Sequence, residues 1–166
     1  MDTRPTSDRL RETLFNIVAP TVEGSAWLDL FAGTGAIGIE ALSRGARMVH
    51  FVESSKRAAR TIRENLASLG IKEGSEVIER EVATALRMLD SQAISCDFCY
   101  LDPPYREMSD YEQVLGFLSQ SQVLKASGTV VAEHDKHFDP GDTFGSLWRR
   151  RLLRQGDSVL SFYGRE

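Results

Sequence analysis

The sequence predicts a single α/β domain built on a doubly wound, Rossmann-like sheet of about seven strands, mostly parallel, with a C-terminal antiparallel hairpin. Three observations predict it: strand and helix patterns alternate five times, the early strands are continuously apolar, and the tail carries two strand patterns on either side of a short turn. Continuously apolar strands are typical of a parallel sheet covered on both faces. The 166 residues, 42% of them hydrophobic, suffice for one such domain. We therefore expect residues 1–166 to form one domain with one site.

The predicted elements have recognisable starts and stops. Thr6 or Ser7 can cap a first amphipathic helix that Pro20 ends, and Gly45 and Gly70 close two later helices. The predicted helices cover about residues 8–19, 36–44, 55–69, 83–89 and 111–118. The predicted strands cover residues 26–31, 48–53, 76–80, 98–101 and 128–133, followed by a hairpin of residues 146–154 and 158–163. Right-handed crossovers in such a sheet place ligand sites at the carboxyl ends of the strands.

Composition argues against several classes of protein. The formal net charge of −4 disfavours a chain that grips nucleic acid by charge alone, so an RNA partner needs a local basic patch. The sequence shows no membrane span or export signal, and we expect a cytoplasmic protein. Cys96 and Cys99 lack further ligands at zinc spacing and are expected to be buried thiols, with a redox pair as the alternative. His134, Asp135 and His137 also lack a ligand pattern, so no metal site is predicted.

A glycine-rich turn follows the first predicted strand and opens a helix. Gly33, Gly35 and Gly38 have the spacing G-x-G-x-x-G, which lets the backbone turn sharply and approach a ligand closely. Glu53 ends the second strand, where its carboxylate can accept both hydrogen bonds of a ribose diol. Together these residues predict a nucleotide cofactor. The alternative is a plain tight turn beside a solvated strand end.

Asp29 distinguishes between possible cofactors. It lies four residues before Gly33 in an otherwise apolar strand, where a carboxylate would repel a pyrophosphate and attract a cation. This favours S-adenosyl-L-methionine, which carries an ammonium and a sulfonium group. A nicotinamide-dependent oxidoreductase is the alternative that the glycine spacing supports. Asp29 can instead, or in addition, accept hydrogen bonds from loop N–H groups.

The tetrapeptide Asp102-Pro103-Pro104-Tyr105 directly follows the fourth predicted strand. Neither proline has an N–H, and Pro104 restricts Pro103 to an extended conformation, so the loop is a stiff platform of acceptors. The Asp102 carboxylate and the Pro103 carbonyl can bind both hydrogens of an exocyclic base amine, while Tyr105 stacks on an extruded base. We predict that these four residues form a catalytic loop that acts by alignment. A plain turn with an aromatic lid is the alternative.

Four arginines form the densest basic cluster, in the predicted hairpin. They are Arg149, Arg150, Arg151 and Arg154. Regular strand alternation places Arg149 and Arg151 on one face, where they could contact RNA phosphates. The alternative is charge on an edge strand that discourages aggregation.

Two segments resemble the S-adenosylmethionine-dependent amino-methyltransferases: residues 29–35, which read D-L-F-A-G-T-G, and the D-P-P-Y tetrapeptide. More narrowly, Arg4-Pro5-Thr6 with the R-E-T-L-F-N run at 11–16 and the G-I-E-A-L-S-R run at 38–44 resembles the RsmD-type 16S ribosomal RNA (guanine-N2)-methyltransferases. The likeness covers nearly the whole chain.

This resemblance implies methylation of the 2-amino group of one guanine in small-subunit ribosomal RNA, with a partly assembled ribosomal particle as the partner. The implied cofactor contacts are Thr6, Asp29, Phe31, Ala32, Gly33, Thr34, Gly35, Glu53, Ser54 and Ala83. Adenine-N6 methylation of DNA or RNA is the alternative within the same chemistry, and a non-catalytic RNA-binding factor is a further one.

The sequence departs from the family pattern at two places. The chain starts almost at Arg-Pro-Thr, without the basic, glycine-containing segment that usually precedes it, so the comparison with the family implies either a weaker hold on RNA or a truncated form. Val82 stands where the family often has Asn or Asp, so a side-chain contact to adenine is not expected there.

Overall fold

The alternating strand and helix signals produce one eight-stranded sheet in a computed structural model, which describes residues 7–165. The strands are β1 Ala26–Leu30, β2 Met48–Val52, β3 Ser75–Ile78, β4 Cys96–Leu101, β5 Leu124–Asp135, β6 Thr143–Phe144, β7 Leu147–Gln155 and β8 Ser158–Arg165. The helices are α1 Asp8–Val18, α2 Ala36–Ser43, α3 Lys56–Ser68, α4 Val82–Ser91 and α5 Met108–Gln120, with a short 3-10 helix, Ala19–Thr21, after α1.

The strand order is β3-β2-β1-β4-β5-β8-β7-β6. The first five strands run parallel to one another, and β8, β7 and β6 continue the sheet in antiparallel pairs. The predicted doubly wound fold with an antiparallel tail is therefore confirmed. The sheet has eight strands instead of about seven because β6 pairs only Thr143 and Phe144 with β7, and two residues are too few to show an alternation pattern.

Helices cover both faces of the sheet. On one face, the ring of Trp27 in β1 stacks between Phe15 of α1 and Phe98 of β4, at centroid distances of 5.3 and 4.5 Å. On the other face, α4 and α5 bury Leu86 and Leu115 against the strands. All five residues of β1 are buried, as expected for a central parallel strand.

Side-chain caps set the starts of two helices. The Ser7 hydroxyl accepts a hydrogen bond from the N–H of Leu10 at 3.1 Å, and the Ser55 hydroxyl accepts one from the N–H of Ala58 at 3.2 Å. Ser7 is thus the cap of α1, and the alternative cap, Thr6, lies outside the described residues. No helix within residues 7–165 is long and apolar enough to cross a membrane.

The two cysteines are buried free thiols in β4. Burial, followed by the charge of Asp97, raises the pKa of Cys96 to about 12, and burial also raises the pKa of Cys99. A thiol that stays protonated is a poor nucleophile and a poor redox partner. The positions of both cysteines support the structural interpretation.

Candidate active site

Three neighbouring strands, β2, β1 and β4, end at the same level at one edge of the sheet, and β5 passes that level beside β4. Leu30 of β1 pairs with Val52 of β2 on one side and with Leu101 of β4 on the other, and Leu101 pairs in turn with Ala132 of β5. The residues that follow each of these strand ends are therefore neighbours in space. The glycine turn, Glu53 and the D-P-P-Y loop come together as the sequence predicted.

The glycine turn needs glycine at two positions for different reasons. Gly35 begins α2 with φ of 80°, in the left-handed region that other residues rarely adopt. Gly38 lies in α2 directly against β2, and a Cβ there would lie 2.3 Å from the ring of Phe51. The turn thus combines a sharp change of direction with close packing of helix on strand.

Hydrogen bonds tie the glycine turn to the end of β2. The two carboxylate oxygens of Glu53 accept from the backbone N–H groups of Gly33 at 2.8 Å and Ser55 at 2.9 Å. The N–H of Ala32 donates to the Val52 carbonyl at 3.0 Å. Glu53 therefore holds the loops after β1 and β2 together, a role that the sequence did not reveal.

The other candidate cofactor residues lie at different distances from this junction. Phe31 has a left-handed backbone with φ of 55°, and Thr34 and Ser54 are exposed at the rim. The Thr34 carbonyl accepts a hydrogen bond from the Asn65 side chain of α3 at 3.1 Å. Ala83 lies half-buried in the first turn of α4, two strands away from the turn after β1.

Asp29 is a buried carboxyl group one residue before the end of β1. Its Oδ2 accepts a hydrogen bond from the N–H of Gly38 at 3.1 Å, so it fulfils the structural alternative. Burial raises the pKa of Asp29 to about 8, the Gly38 hydrogen bond opposes that rise, and the charges of Glu53 and Asp102 add to it. Carboxyl groups from three neighbouring strands therefore lie close enough for Glu53 and Asp102 to act on Asp29.

The four residues of the D-P-P-Y loop differ in their exposure to solvent. The Asp102 side chain is 15% exposed, Pro103 is buried, and Pro104 and Tyr105 are exposed, with 66% of the Tyr105 surface accessible. The Pro103 carbonyl accepts a hydrogen bond from the N–H of Arg106 at 3.2 Å, which closes the turn. An accessible aromatic ring therefore lies beside a partly shielded carboxylate.

Sequence reasoning missed Arg106 and Glu133. The Arg106 guanidinium donates to Asp102 Oδ1 at 3.0 Å and to Glu133 Oε2 at 2.9 Å. Glu133 follows Ala132 near the end of β5, so the rule that pointed to residues after strands one, two and four could also have found it. Arg106, directly after the tetrapeptide, carried no comparable signal.

The predicted arrangement of the basic cluster was wrong in one respect. Arg149 pairs with Tyr163, whereas Arg151 pairs with Phe162, the adjacent residue of β8, because Arg150 forms a β-bulge. Adjacent residues of a strand point to opposite faces, so Arg149 and Arg151 do not share a face. Arg149 is instead bound by Asp139 at 2.8 Å and Asp142 at 2.7 Å, while Arg151 is exposed.

His134 lies in a hydrogen-bonded cluster of protein groups. Its Nδ1 is 2.7 Å from the Phe138 carbonyl oxygen and its Nε2 is 2.8 Å from the Ser161 hydroxyl. Over the described part of the chain, no group of three His, Cys, Asp or Glu side chains is arranged to hold a metal ion.

Comparison with known proteins places this cleft in a family context. Residues 1–164 match the family described as "Conserved hypothetical protein 95". The chain is 35% identical to "Putative rRNA methyltransferase YlbH" of Bacillus subtilis, over 97% of this chain and 87% of that protein. It is 38% identical to "Ribosomal RNA small subunit methyltransferase D" of Haemophilus influenzae, over 80% of this chain and 68% of that protein.

A solved structure shares the fold closely. "Putative methyltransferase yhhF" from Escherichia coli superposes with a TM-score of 0.86 at 28% sequence identity, covering 98% of this chain and 88% of that chain.

Proposed function

The chain belongs to the Conserved hypothetical protein 95 family, and from this premise we propose that it transfers a methyl group from S-adenosyl-L-methionine to the exocyclic N2 amine of a guanine in 16S ribosomal RNA. One observation carries the proposal: the D-P-P-Y loop and the glycine turn follow neighbouring strands that end at the same level. A cofactor on one loop and a base on the other would therefore meet. The names of the relatives from Bacillus subtilis and Haemophilus influenzae support ribosomal RNA as the substrate class.

The carboxyl groups around Asp29 fit a cationic cofactor. The charges of Glu53 and Asp102 add to burial in raising the pKa of Asp29. A positive ligand would relieve the repulsion among these groups, whereas a pyrophosphate would increase it. Asp29 and Glu53 would hold the cofactor with the backbone of residues 31–35, and Ser54, Ala83 and Thr6 complete the proposed set. When bound, S-adenosyl-L-methionine supplies an electrophilic methyl group on a sulfonium. The same charge argument disfavours the nicotinamide alternative.

The chain's own residues would prepare the amine. Asp102 and the Pro103 carbonyl accept its two hydrogens, which turns the nitrogen lone pair toward the cofactor side of the cleft. The Pro103 oxygen already accepts from Arg106, and a carbonyl oxygen has a second lone pair for the substrate. Tyr105 stacks on the base, and Asp102 takes the proton that the nitrogen loses when it gains the methyl group.

The proposal extends to the form of the substrate. Base flipping requires a guanine that is accessible outside a stable duplex, which favours RNA within a partly assembled small subunit in the cytoplasm. The tetrapeptide itself would also accept an adenine amine, so the choice of guanine rests on the family.

Methyl transfer from labelled S-adenosylmethionine tests this function. The protein would be incubated separately with immature small subunits, naked 16S RNA and duplex DNA, and the products digested to nucleosides. We expect label in N2-methylguanosine from the RNA samples. Label in N6-methyladenine would support the adenine alternative, and binding of NADH without binding of S-adenosylhomocysteine would contradict the proposal.

A further inference from the structure

Arg106 lies between two carboxylates from neighbouring strands. Its Nε is 3.0 Å from Asp102 Oδ1 and its Nη2 is 2.9 Å from Glu133 Oε2, and the three side chains are 16%, 15% and 4% exposed. Arg106 has a left-handed backbone with φ of 50°, which residues other than glycine adopt rarely. The two contacts therefore fix an arginine in an unusual conformation next to the proposed acceptor.

Glu133 is itself held in place from two elements. The Tyr100 hydroxyl of β4 donates to its carboxylate, and the Tyr111 hydroxyl of α5 donates to its backbone carbonyl at 2.7 Å. Hydrogen bonds from fixed aromatic residues restrict where this carboxylate can lie. A series of hydrogen-bonded side chains thus leads from the buried sheet to the proposed catalytic loop: Tyr100, Glu133, Arg106 and Asp102.

Several ionisable groups lie near Asp102. The charge of Asp102 acts on Arg106, on Asp29 of β1 and on the Tyr111 hydroxyl of α5. Glu133 of β5 binds the same guanidinium, and Glu53 at the end of β2 acts on Asp29 in turn. Burial alone would lower the pKa of Arg106, but the charge and hydrogen bond of Asp102 outweigh burial and raise it. Arg106 is therefore positively charged wherever Asp102 is ionised, and it offsets the repulsion among these carboxylates.

We propose that Arg106 and Glu133 are positioning residues that hold the Asp102 carboxylate ionised and correctly oriented to accept the substrate amine. The inference rests on the proposed function, because Asp102 is the acceptor only if an amine is methylated. Arg106 supplies a positive charge and one hydrogen bond to Asp102. Glu133 fixes the plane of the guanidinium group by accepting a hydrogen bond from the Nη2 of Arg106.

The variants Arg106→Gln, Arg106→Lys and Glu133→Gln, with the double variant Arg106→Gln/Glu133→Gln, test this inference. Arg63→Gln is the matched control, since Arg63 pairs with Glu79 at 3.3 Å on the surface of α3. Two quantities would be measured as a function of pH: kcat and KM for methyl transfer to 16S RNA, and the carboxyl carbon NMR signal of Asp102, assigned with Asp102→Asn. The NMR signal reports protonation of Asp102 whether or not the protein is active.

For Arg106→Gln we expect kcat to fall about 10- to 100-fold at neutral pH with KM little changed. We also expect Asp102 to take up its proton at a higher pH than in the wild type, because a nearby cation has been removed. The double variant should recover part of both losses, since it also removes a neighbouring negative charge. Arg106→Lys should retain more activity than Arg106→Gln, and Arg63→Gln should match the wild type.

Two results would show that Arg106 has only a structural role. One is an unchanged midpoint for protonation of Asp102 in Arg106→Gln. The other is a loss of methyl transfer that is equal at every pH and is not relieved in the double variant. If the wild-type protein transferred no methyl group to any RNA, the proposed function would fail, and the NMR titration would still decide what Arg106 does to Asp102.

Discussion

Asp29 shows how one buried carboxyl group can report cofactor binding. Its pKa of about 8, set by burial and by neighbouring carboxylates, means that it carries a proton over much of the neutral range. A cationic ligand favours the ionised form, so binding should release that proton. The folded protein without ligand thus holds more protons than the complex below about pH 8, and linkage requires affinity to rise with pH there.

We therefore expect the affinity for S-adenosylmethionine to increase from about pH 6 to about pH 8 and then level off. Titration calorimetry in two buffers of different ionisation enthalpy would detect the released proton. Asp29→Asn should bind more weakly and lose the pH dependence. Equal wild-type affinity across this range would contradict a direct contact between Asp29 and the cationic groups.

We expect Asp102 to bind the substrate amine and to contribute little to cofactor binding. Asp102→Ala removes an acceptor that aligns the nucleophile, so we expect methyl transfer to fall by roughly 100-fold or more. The affinity for S-adenosylhomocysteine should stay within a few-fold of wild type. Asp157→Ala, in the exposed turn of the C-terminal hairpin, is the matched control. A normal rate for Asp102→Ala would remove it from the catalytic loop.

His134 should make stability depend on pH. Burial lowers the pKa of His134, and hydrogen bonds to the Asp135 and Phe138 carbonyls oppose that shift only in part. The unfolded chain then binds a proton more readily than the folded protein, so the free energy of unfolding should fall as pH drops below about 6.5. In thermal unfolding between about pH 5 and pH 8, His134→Gln should flatten this dependence relative to wild type, whereas exposed His137→Gln should not.

The packing of helix α2 against strand β2 depends on the absence of one side chain. A Cβ at Gly38 would lie 2.3 Å from the Phe51 ring, and the Gly38 N–H is the partner of Asp29. Gly38→Ala should therefore destabilise the fold by about 1–3 kcal/mol through overpacking. Gly116→Ala is the matched control, because that helical position has open space for a Cβ and Ala favours helix by up to about 1 kcal/mol.

Urea denaturation of both alanine variants measures this difference directly. If Gly38→Ala proved as stable as Gly116→Ala, the close contact between α2 and β2 would not be the reason for glycine at position 38.

Strands and helices with long regular patterns were predictable from the sequence, but local irregularities were not. The apolar run of β1 and the serine caps have direct physical signals, and the structure confirms them. The bulge at Arg150 has none, because an extra residue changes the register without changing the composition. This single residue is why Arg149 and Arg151 lie on opposite faces.

Across the molecule, parallel topology explains why so much of the candidate site could be predicted from the sequence. Once strands alternate with helices, the residues after each strand share one edge, and Asp102 and Glu53 follow from that rule. The contacts among them do not follow from it. The link from Asp102 through Arg106 to Glu133 depends on β4 and β5 being adjacent and on side-chain directions, which a sequence pattern does not encode.

A crystal structure with bound S-adenosylhomocysteine would be the most direct test of whether two binding loops meet at this edge of the sheet. We expect the adenosyl ribose at Glu53 and the amino-acid end near Asp29, with the sulfur facing the Asp102 to Tyr105 loop. Density for the ligand elsewhere, or a sulfur separated from that loop by packed protein, would contradict methyl transfer at this site.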